Sequence, residues 1–298
     1  MDDLFPRQDI TTLLPNTIYK MLNDADWKKR KEGLTAIQTA LETANHRIQP
    51  SIPSEIYASL KLRLQDSNKN LIAVALGILG ALSTDSGAAQ ATSVRIVALP
   101  TMQCMSDKKP QVRSAAVSAM TAWATVTPGC VDQAILPAVH LALAETSPEL
   151  RSTLLQWLAD TLAPQKGRLP DLSHISESLF SCLQDRNADV RKQAKRVLAL
   201  LVDSCGFEAV HSMCNTQLKD VAKGTVMPMI EELRHSAIGG EPKRSAAAAA
   251  TPSRRVVERA MSPVAEPVMT ASELIGRATG VGHAATAPAS PAQASGPT

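Results

Sequence analysis

Apolar residues recur at steps of three and four along most of the first 237 positions, and short polar stretches interrupt them at regular intervals. Val112, Ala116, Ala119 and Trp123 share one helical face. So do Leu150, Leu154, Trp157, Leu158 and Thr161, and again Val190, Ala194, Val197 and Leu201. That spacing predicts amphipathic helices. Each stripe follows a helix-start signal. Pro110 stands at a first helical position, where its missing N–H costs nothing. Ser147 is placed to cap a helix that opens with Pro148 and Glu149, an acid favourable beside the positive end of the helix dipole. Asn187 plays the capping role before Val190. Another helical segment precedes each of these, such as 88–106 ahead of the loop Asp107-Lys108-Lys109. The pattern therefore predicts antiparallel helix pairs joined by short turns.

The pairs repeat. Five segments share an acidic residue, a turn or helix start, and usually an arginine six positions on. They run from Asp24 to Arg30, Asp66 to Ile72, Asp107 to Arg113, Glu145 to Arg151 and Asp185 to Arg191. The acidic anchors lie 42, 41, 38 and 40 residues apart, and a degenerate sixth copy spans 206–236. A period near forty marks HEAT-type hairpins, each too small to fold alone and stabilised by its neighbours. The expected fold is all-α, a solenoid of six HEAT-like hairpins at about 11–44, 53–84, 88–126, 130–163, 171–205 and 206–236. In such a stack the turns inside the hairpins share one edge. Asp24–Lys28, Asp66–Lys69, Asp107–Lys109, Glu145–Ser147 and Asp185–Asn187 should then line a single ridge of helix N-termini. Lys28, Lys69, Lys108, Lys109 and Arg186 add positive charge to it, partly offset by the acidic anchors, and suit it to a partner with an acidic face.

Composition narrows the classes. Hydrophobic residues make up 44% of the 298, enough for a core, while aromatics are only 3%. The apolar set is mostly Ala and Leu, which favours helix over sheet. Net charge is +3, far from the basic surplus of a general nucleic-acid binder. The most apolar run, 71–82, is too short to span a bilayer, and residues 1–30 do not read as a signal peptide. Five scattered cysteines without a C-x-x-C fit buried thiols in a reducing compartment, so a soluble intracellular protein is expected. Beyond about residue 237 the chain turns rich in Ala, Pro, Ser, Gly and Thr, with no aromatic residue and six Lys and Arg against four Glu. Residues 238–298 are expected to be a disordered, mildly basic tail, with room for a short helix around Ala271–Arg277. Thr251-Pro252 and Ser262-Pro263 match the minimal proline-directed phosphorylation pattern, which such tails carry commonly.

Individual residues carry two readings each. Trp123 and Trp157 sit on apolar stripes and belong to the core. Trp27 sits in the polar turn D-A-D-W-K-K-R. It is either an exposed hot spot on the ridge or an indole folded back on Leu4 and Phe5. Arg113, Arg151 and Arg191 read as structural, each pairing with a neighbouring acidic anchor; Lys69 and Arg186 lean towards contact with a partner. The histidines form no metal spacing; His211 and Cys214, one turn apart, read as packing. No phosphate loop, G-x-S-x-G or H-E-x-x-H is present, so neither enzyme activity nor a cofactor or metal is expected.

Several stretches carry a family likeness. FPRQDI at 5–10, DADWKKRKEGL at 24–34, RIQPSI at 47–52, LKLRLQDSNKNL at 60–71, LQWLADTL at 155–162 and SCLQDRNADVRKQAKRVL at 181–198 resemble a TOG domain of the multi-TOG microtubule polymerases, most nearly the fourth. The likeness covers about residues 4–236. It implies a flat paddle whose turn edge binds αβ-tubulin, preferring the curved, unpolymerised form, to promote or regulate microtubule growth. It further implies Trp27 and Lys28 in the first turn, Ser67, Asn68 and Lys69 in the second, Lys108 and Lys109 in the third, and Arg186 and Asn187 in the fifth as tubulin-binding residues. The implied setting is the cytoplasm and cytoskeleton, at microtubule plus ends, spindle pole or centrosome, without nucleic acid or membrane. The second turn lacks the valine typical of the family's tightest binders, and the fourth has no basic residue. Kinetochore or centrosome proteins, or a phosphatase or kinase served by a HEAT scaffold, are the rival partners.

Overall fold

The computed structural model describes residues 6–87, 91–126, 128–165 and 167–238, all within one compact unit. Helices dominate it, in pairs. The first hairpin joins α1 (Ile18–Leu22) to α2 (Trp27–Thr43), the second α3 (Ser54–Arg63) to α4 (Lys69–Ser86), and the third α5 (Ala91–Gln103) to α6 (Pro110–Val126). The fourth runs through α7 (Pro128–Cys130), a π-helical turn at Val131–Ile135 and α8 (Leu136–Leu143) to α9 (Pro148–Leu162). The fifth joins α10 (Ser176–Leu183) to α11 (Ala188–Cys205), and the sixth α12 (Phe207–Gln217) to α13 (Asp220–Ile238). First helices pack on first helices and second on second, which gives two layers with the core between them. Among the described residues these helix pairs number six. The expected tail lies outside the described residues except for Ile238, the last residue of α13, and so does Ala88 at the expected start of the third hairpin.

The apolar stripes point inward as their spacing requires. Val112, Ala116, Ala119, Trp123, Leu150, Leu154, Leu158, Val190, Ala194, Val197 and Leu201 are buried. Thr161 is the exception, half-buried beside a surface groove between α6 and α9. Both core indoles satisfy their N–H: Trp123 donates to Leu79 O at 3.1 Å and Trp157 to Thr121 Oγ1 at 3.0 Å. Gly33 allows α2 to lie on α1, because a Cβ there would stand 3.1 Å from Leu22 N and 3.2 Å from Met21 Cβ.

Two irregular places have local causes. Pro137 has no N–H to give the carbonyl four residues back, Gln133 O, and the helix opens into its π-turn there. Arg95 Nε on α5 supplies the missing donor at 2.6 Å and fastens the third hairpin to the fourth. Ahead of α1, residues 6–16 form a strap across the first two hairpins. Gln8 N donates to Arg47 O at 2.9 Å, Gln49 N donates to Gln8 O at 2.8 Å, and Arg7 donates to Ile48 O and Asp85 O. The strap buries Ile10. Gly87, at φ +67°, ends α4 beneath it; a Cβ at Gly87 would fall 2.6 Å from Arg7 Nη2.

Candidate functional site

The recurring acid closes its own turn. Asp24, Asp66, Asp107 and Asp185 each accept from the backbone N–H two residues on, at 2.8–2.9 Å. This Asx-turn needs the short aspartate side chain. Glu145, one methylene longer, makes no such bond among the described contacts and accepts from Gln103 Nε2 at 2.7 Å. Two residues later the helix cap follows: Asp26, Asn68 and Ser147 each accept from a first-turn N–H, and Asn187 accepts from two.

The recurring arginine locks the same turn from the other side. Arg30, Arg113 and Arg191 each donate Nη1 to the two carbonyls six and five residues back, at 2.7–3.2 Å. Arg151 does so to Glu145 O. The expectation of a link to a neighbouring anchor holds for Arg151, which pairs with Asp185 at 2.8 Å. Arg113 and Arg191 instead make their hydrogen bonds within their own turns, where the two hydrogens of Nη1 reach two successive carbonyls. Arg30 does both, gripping Asp66 through Nε at 2.7 Å and Nη2 at 3.0 Å.

Neighbour-to-neighbour contacts make the five turns one continuous edge. Arg30–Asp66 ties the first to the second, Lys69–Asp107 at 2.7 Å the second to the third, Gln103–Glu145 the third to the fourth, and Arg151–Asp185 the fourth to the fifth. Asp66, Asp107 and Asp185 therefore spend their charge inside the edge. The Asp66 side chain has no exposed surface, and those of Asp107 and Asp185 are only 13% and 11% exposed. Burial alone would raise the Asp66 pKa, but the hydrogen bonds from Arg30 and the Asn68 N–H outweigh it and hold the carboxyl below its ordinary range. At Asp107 burial is likewise overcome by Lys69 and the Lys109 N–H.

Those two depressed values fix a pH response. A carboxylate whose folded pKa lies below its unfolded value, about 3.9, stabilises the fold above that value and loses the contribution as pH falls through the folded pKa. The melting temperature should hold down to about pH 4 and then fall. Thermal melts from pH 7 to pH 2.5 check this, and Asp66→Asn should flatten the acid limb. A wild-type curve that stays level to pH 2.5 would refute the assignment.

The edge presents a definite set of side chains outward. Trp27, the first residue of α2, is 46% exposed; Leu4 and Phe5, on which the other reading folds it, lie outside the described residues. Lys28, Ser67, Lys108, Lys109 and Arg186 are exposed around it and along the edge. Lys69 is half exposed but bonded to Asp107, a partner 38 residues away that no local pattern reveals. Asn68 and Asn187 are half-buried, and their carbonyl oxygens are committed to the caps. Sequence reading missed Arg30 as the central strut; its place in the repeat was the available signal, obscured by the flanking lysines.

Other chemistry is muted. Burial pushes the Cys104 and Cys130 thiols up to about 11 and Cys182 up to about 12, so they stay protonated and unreactive. Cys214 is buried, while His211 is partly exposed and stacks on Phe207 at 5.9 Å. Among the described residues no group of three or more His, Cys, Asp or Glu is arranged to hold a metal. Among them, too, no single helix is long and apolar enough to cross a membrane.

Relatives share both sequence and shape. Over 241 residues the chain is 30% identical to Protein MOR1 of Oryza sativa, and over 237 residues 32% identical to mini spindles of Drosophila melanogaster. These stretches cover 79% and 78% of this chain but only 12% and 11% of those proteins, so the chain spans about a tenth of their length. A structure from work on microtubule plus-end tracking by XMAP215, CLIP-170 and EB1 superposes with a TM-score of 0.59 at 23% identity, covering 82% of this chain and 98% of that one. The third TOG domain of Drosophila mini spindles superposes with a TM-score of 0.51 at 19% identity, over 78% of this chain and 97% of that one. Residues 17–225 match the XMAP215/Dis1/CLASP TOG-domain family, and the chain belongs to that family.

Proposed function

We propose that this chain is a tubulin-binding module. It grips the curved αβ-tubulin dimer with its turn edge and so promotes or regulates microtubule growth. The observation that carries the reading is the exposed Trp27 on an edge where Asp66, Asp107 and Asp185 are turned inward while Lys28, Lys108, Lys109 and Arg186 face out. Membership of the family supports it. So does a fold shared, at 19% identity and a TM-score of 0.60, with a protein from work on tubulin recruitment and assembly by microtubule polymerases with TOG arrays. Trp27 and Lys28 would serve as the aromatic anchor and its flank, with Ser67, Asn68 and Lys69 beside them. Lys108 and Lys109 would extend the contact in the third turn, and Arg186 and Asn187 in the fifth would face α-tubulin. The module works by binding, not by catalysis, and its place is the cytoskeleton, at microtubule plus ends, spindle pole or centrosome.

Rigidity gives the mechanism. Clamped turns tied to one another hold the anchor and the cations at fixed spacing before the partner arrives, so little ordering is lost on binding. A stiff edge fits one curvature of the dimer better than another, so it takes up bent dimers and releases them once they straighten. Complementary charge mainly speeds encounter.

Gel filtration with free αβ-tubulin, alongside pelleting with microtubules, tests the reading. Co-elution with the free dimer at low salt, weakening as salt rises, is expected. A folded protein that elutes apart from tubulin at low salt would overturn the reading and favour a scaffold for a kinetochore, centrosome, phosphatase or kinase partner. Within this reading, Lys108→Glu with Arg186→Glu should slow association several-fold with little change in dissociation, as rim charges do. Stopped-flow binding at two ionic strengths separates the two rates.

A further inference from the structure

A groove of about 690 Å³ runs along α2 and begins where the turn edge ends, at Trp27. Leu13 and Pro15 of the N-terminal strap line one side, and Thr35 and Thr39 line it along the helix. From Trp27 to Thr43 α2 has 17 residues, about 25 Å of helix at 1.5 Å per residue. The strap side is preformed, because Arg7 and Gln8 fasten it to backbone atoms of the first two hairpins and Ile10 is buried beneath. Charge at the Trp27 end is mixed but leans positive in the groove lining, where Lys28 and Lys31 stand against Glu32; the exposed Asp26 beside Trp27 is the α2 cap. Lys28 and Lys31 are exposed there, while the acid beside them, Glu32, is taken up by Lys29 at 3.0 Å.

We propose that this groove receives an amphipathic surface helix of the same partner that meets Trp27, one carrying carboxylates beside its apolar face. The docking surface then turns the corner from the turn tips onto α2. Length, apolar lining and a cationic end match helix-in-groove recognition, in which apolar anchors at i, i+3 and i+4 enter the trough and charges at one end set direction. Continuity with Trp27 makes the indole the hinge of one contiguous surface. The inference rests on the tubulin-binding reading and adds where the dimer lies beyond the turns.

The test uses the full chain and purified αβ-tubulin. Thr35→Glu with Thr39→Glu places two carboxylates on exposed groove positions without touching the core. It should weaken tubulin binding about tenfold or more, with an unchanged circular dichroism spectrum and melt. Lys31→Glu should weaken binding and make its salt dependence shallower. Trp27→Ala is measured beside them. If it loses binding while the groove variants bind as wild type, the groove is overturned and the turn-edge reading stands. If Trp27→Ala also binds as wild type, the turn-edge reading falls and the groove proposal falls with it.

Discussion

Replacing Trp27 with alanine should cost about 2 kcal/mol or more of αβ-tubulin binding, a loss of roughly thirtyfold in affinity, and leave the fold intact. The two halves of that expectation have separate causes. Binding suffers because an indole is a large, nearly rigid anchor whose burial in a partner excludes water at low entropic cost, and the other turn residues are small or charged. Folding does not suffer, because the indole is 46% exposed and the α2 cap belongs to Asp26, whose carboxylate accepts the Lys28 N–H. Isothermal titration and a thermal melt on one preparation separate the halves. A mutant that binds tubulin as wild type would end the site assignment. One that binds weakly but also melts early would show that the residue belongs to the core.

Asp66→Ala should cost about 3–5 kcal/mol of stability. The carboxylate has no exposed surface and takes Arg30 Nε at 2.7 Å, Arg30 Nη2 at 3.0 Å, Arg63 Nη1 at 2.9 Å and the Asn68 N–H at 2.9 Å. Without it, two guanidinium groups whose side chains are only 11% and 12% exposed face each other with no counter-charge between them. An ion pair of this kind adds little over a well-packed apolar substitute, but removing one partner leaves charge stranded in a poor solvent. At about 2–4 °C per kcal/mol for a domain of this size, the melting temperature should drop by roughly 10 °C. Tubulin affinity should fall as well, at temperatures where the variant is still folded, because Arg30 sits three residues from Trp27 and holds the first turn to the second. Differential scanning calorimetry reads the first effect. A midpoint within two or three degrees of wild type would mean that the pair is decorative.

Much of this was legible in the residues. The period near forty and the caps at Ser147 and Asn187 place the second helices, because caps and stripes are local and each is written within a few positions. Trp123 and Trp157 could be assigned to the core from their stripes alone. The direction of the acidic anchors could not. An aspartate that closes its own turn and one that faces solvent have the same neighbours in sequence, and what separates Asp66 from a surface charge is Arg30, 36 residues away. Lys69 reads as a free ridge cation for the same reason; Asp107 claims it across a hairpin boundary. The pattern around Trp27 left both of its conformations open, because exposure depends on whether the preceding strap covers the indole. Arg95, supplying the donor that Pro137 lacks, is invisible until α5 and the fourth hairpin are stacked.

The strap has a practical bearing on how this domain is cut for expression. Ile10 lies ahead of the span that matches the family, 17–225, and Val226 and Ile230 lie beyond it, yet all three are sealed from water. A recombinant piece trimmed to the matched limits would open the hydrophobic interior at both ends and strip away Leu13 and Pro15. Poor yield or weak activity from such a piece would be a fault of the scissors, not a property of the protein.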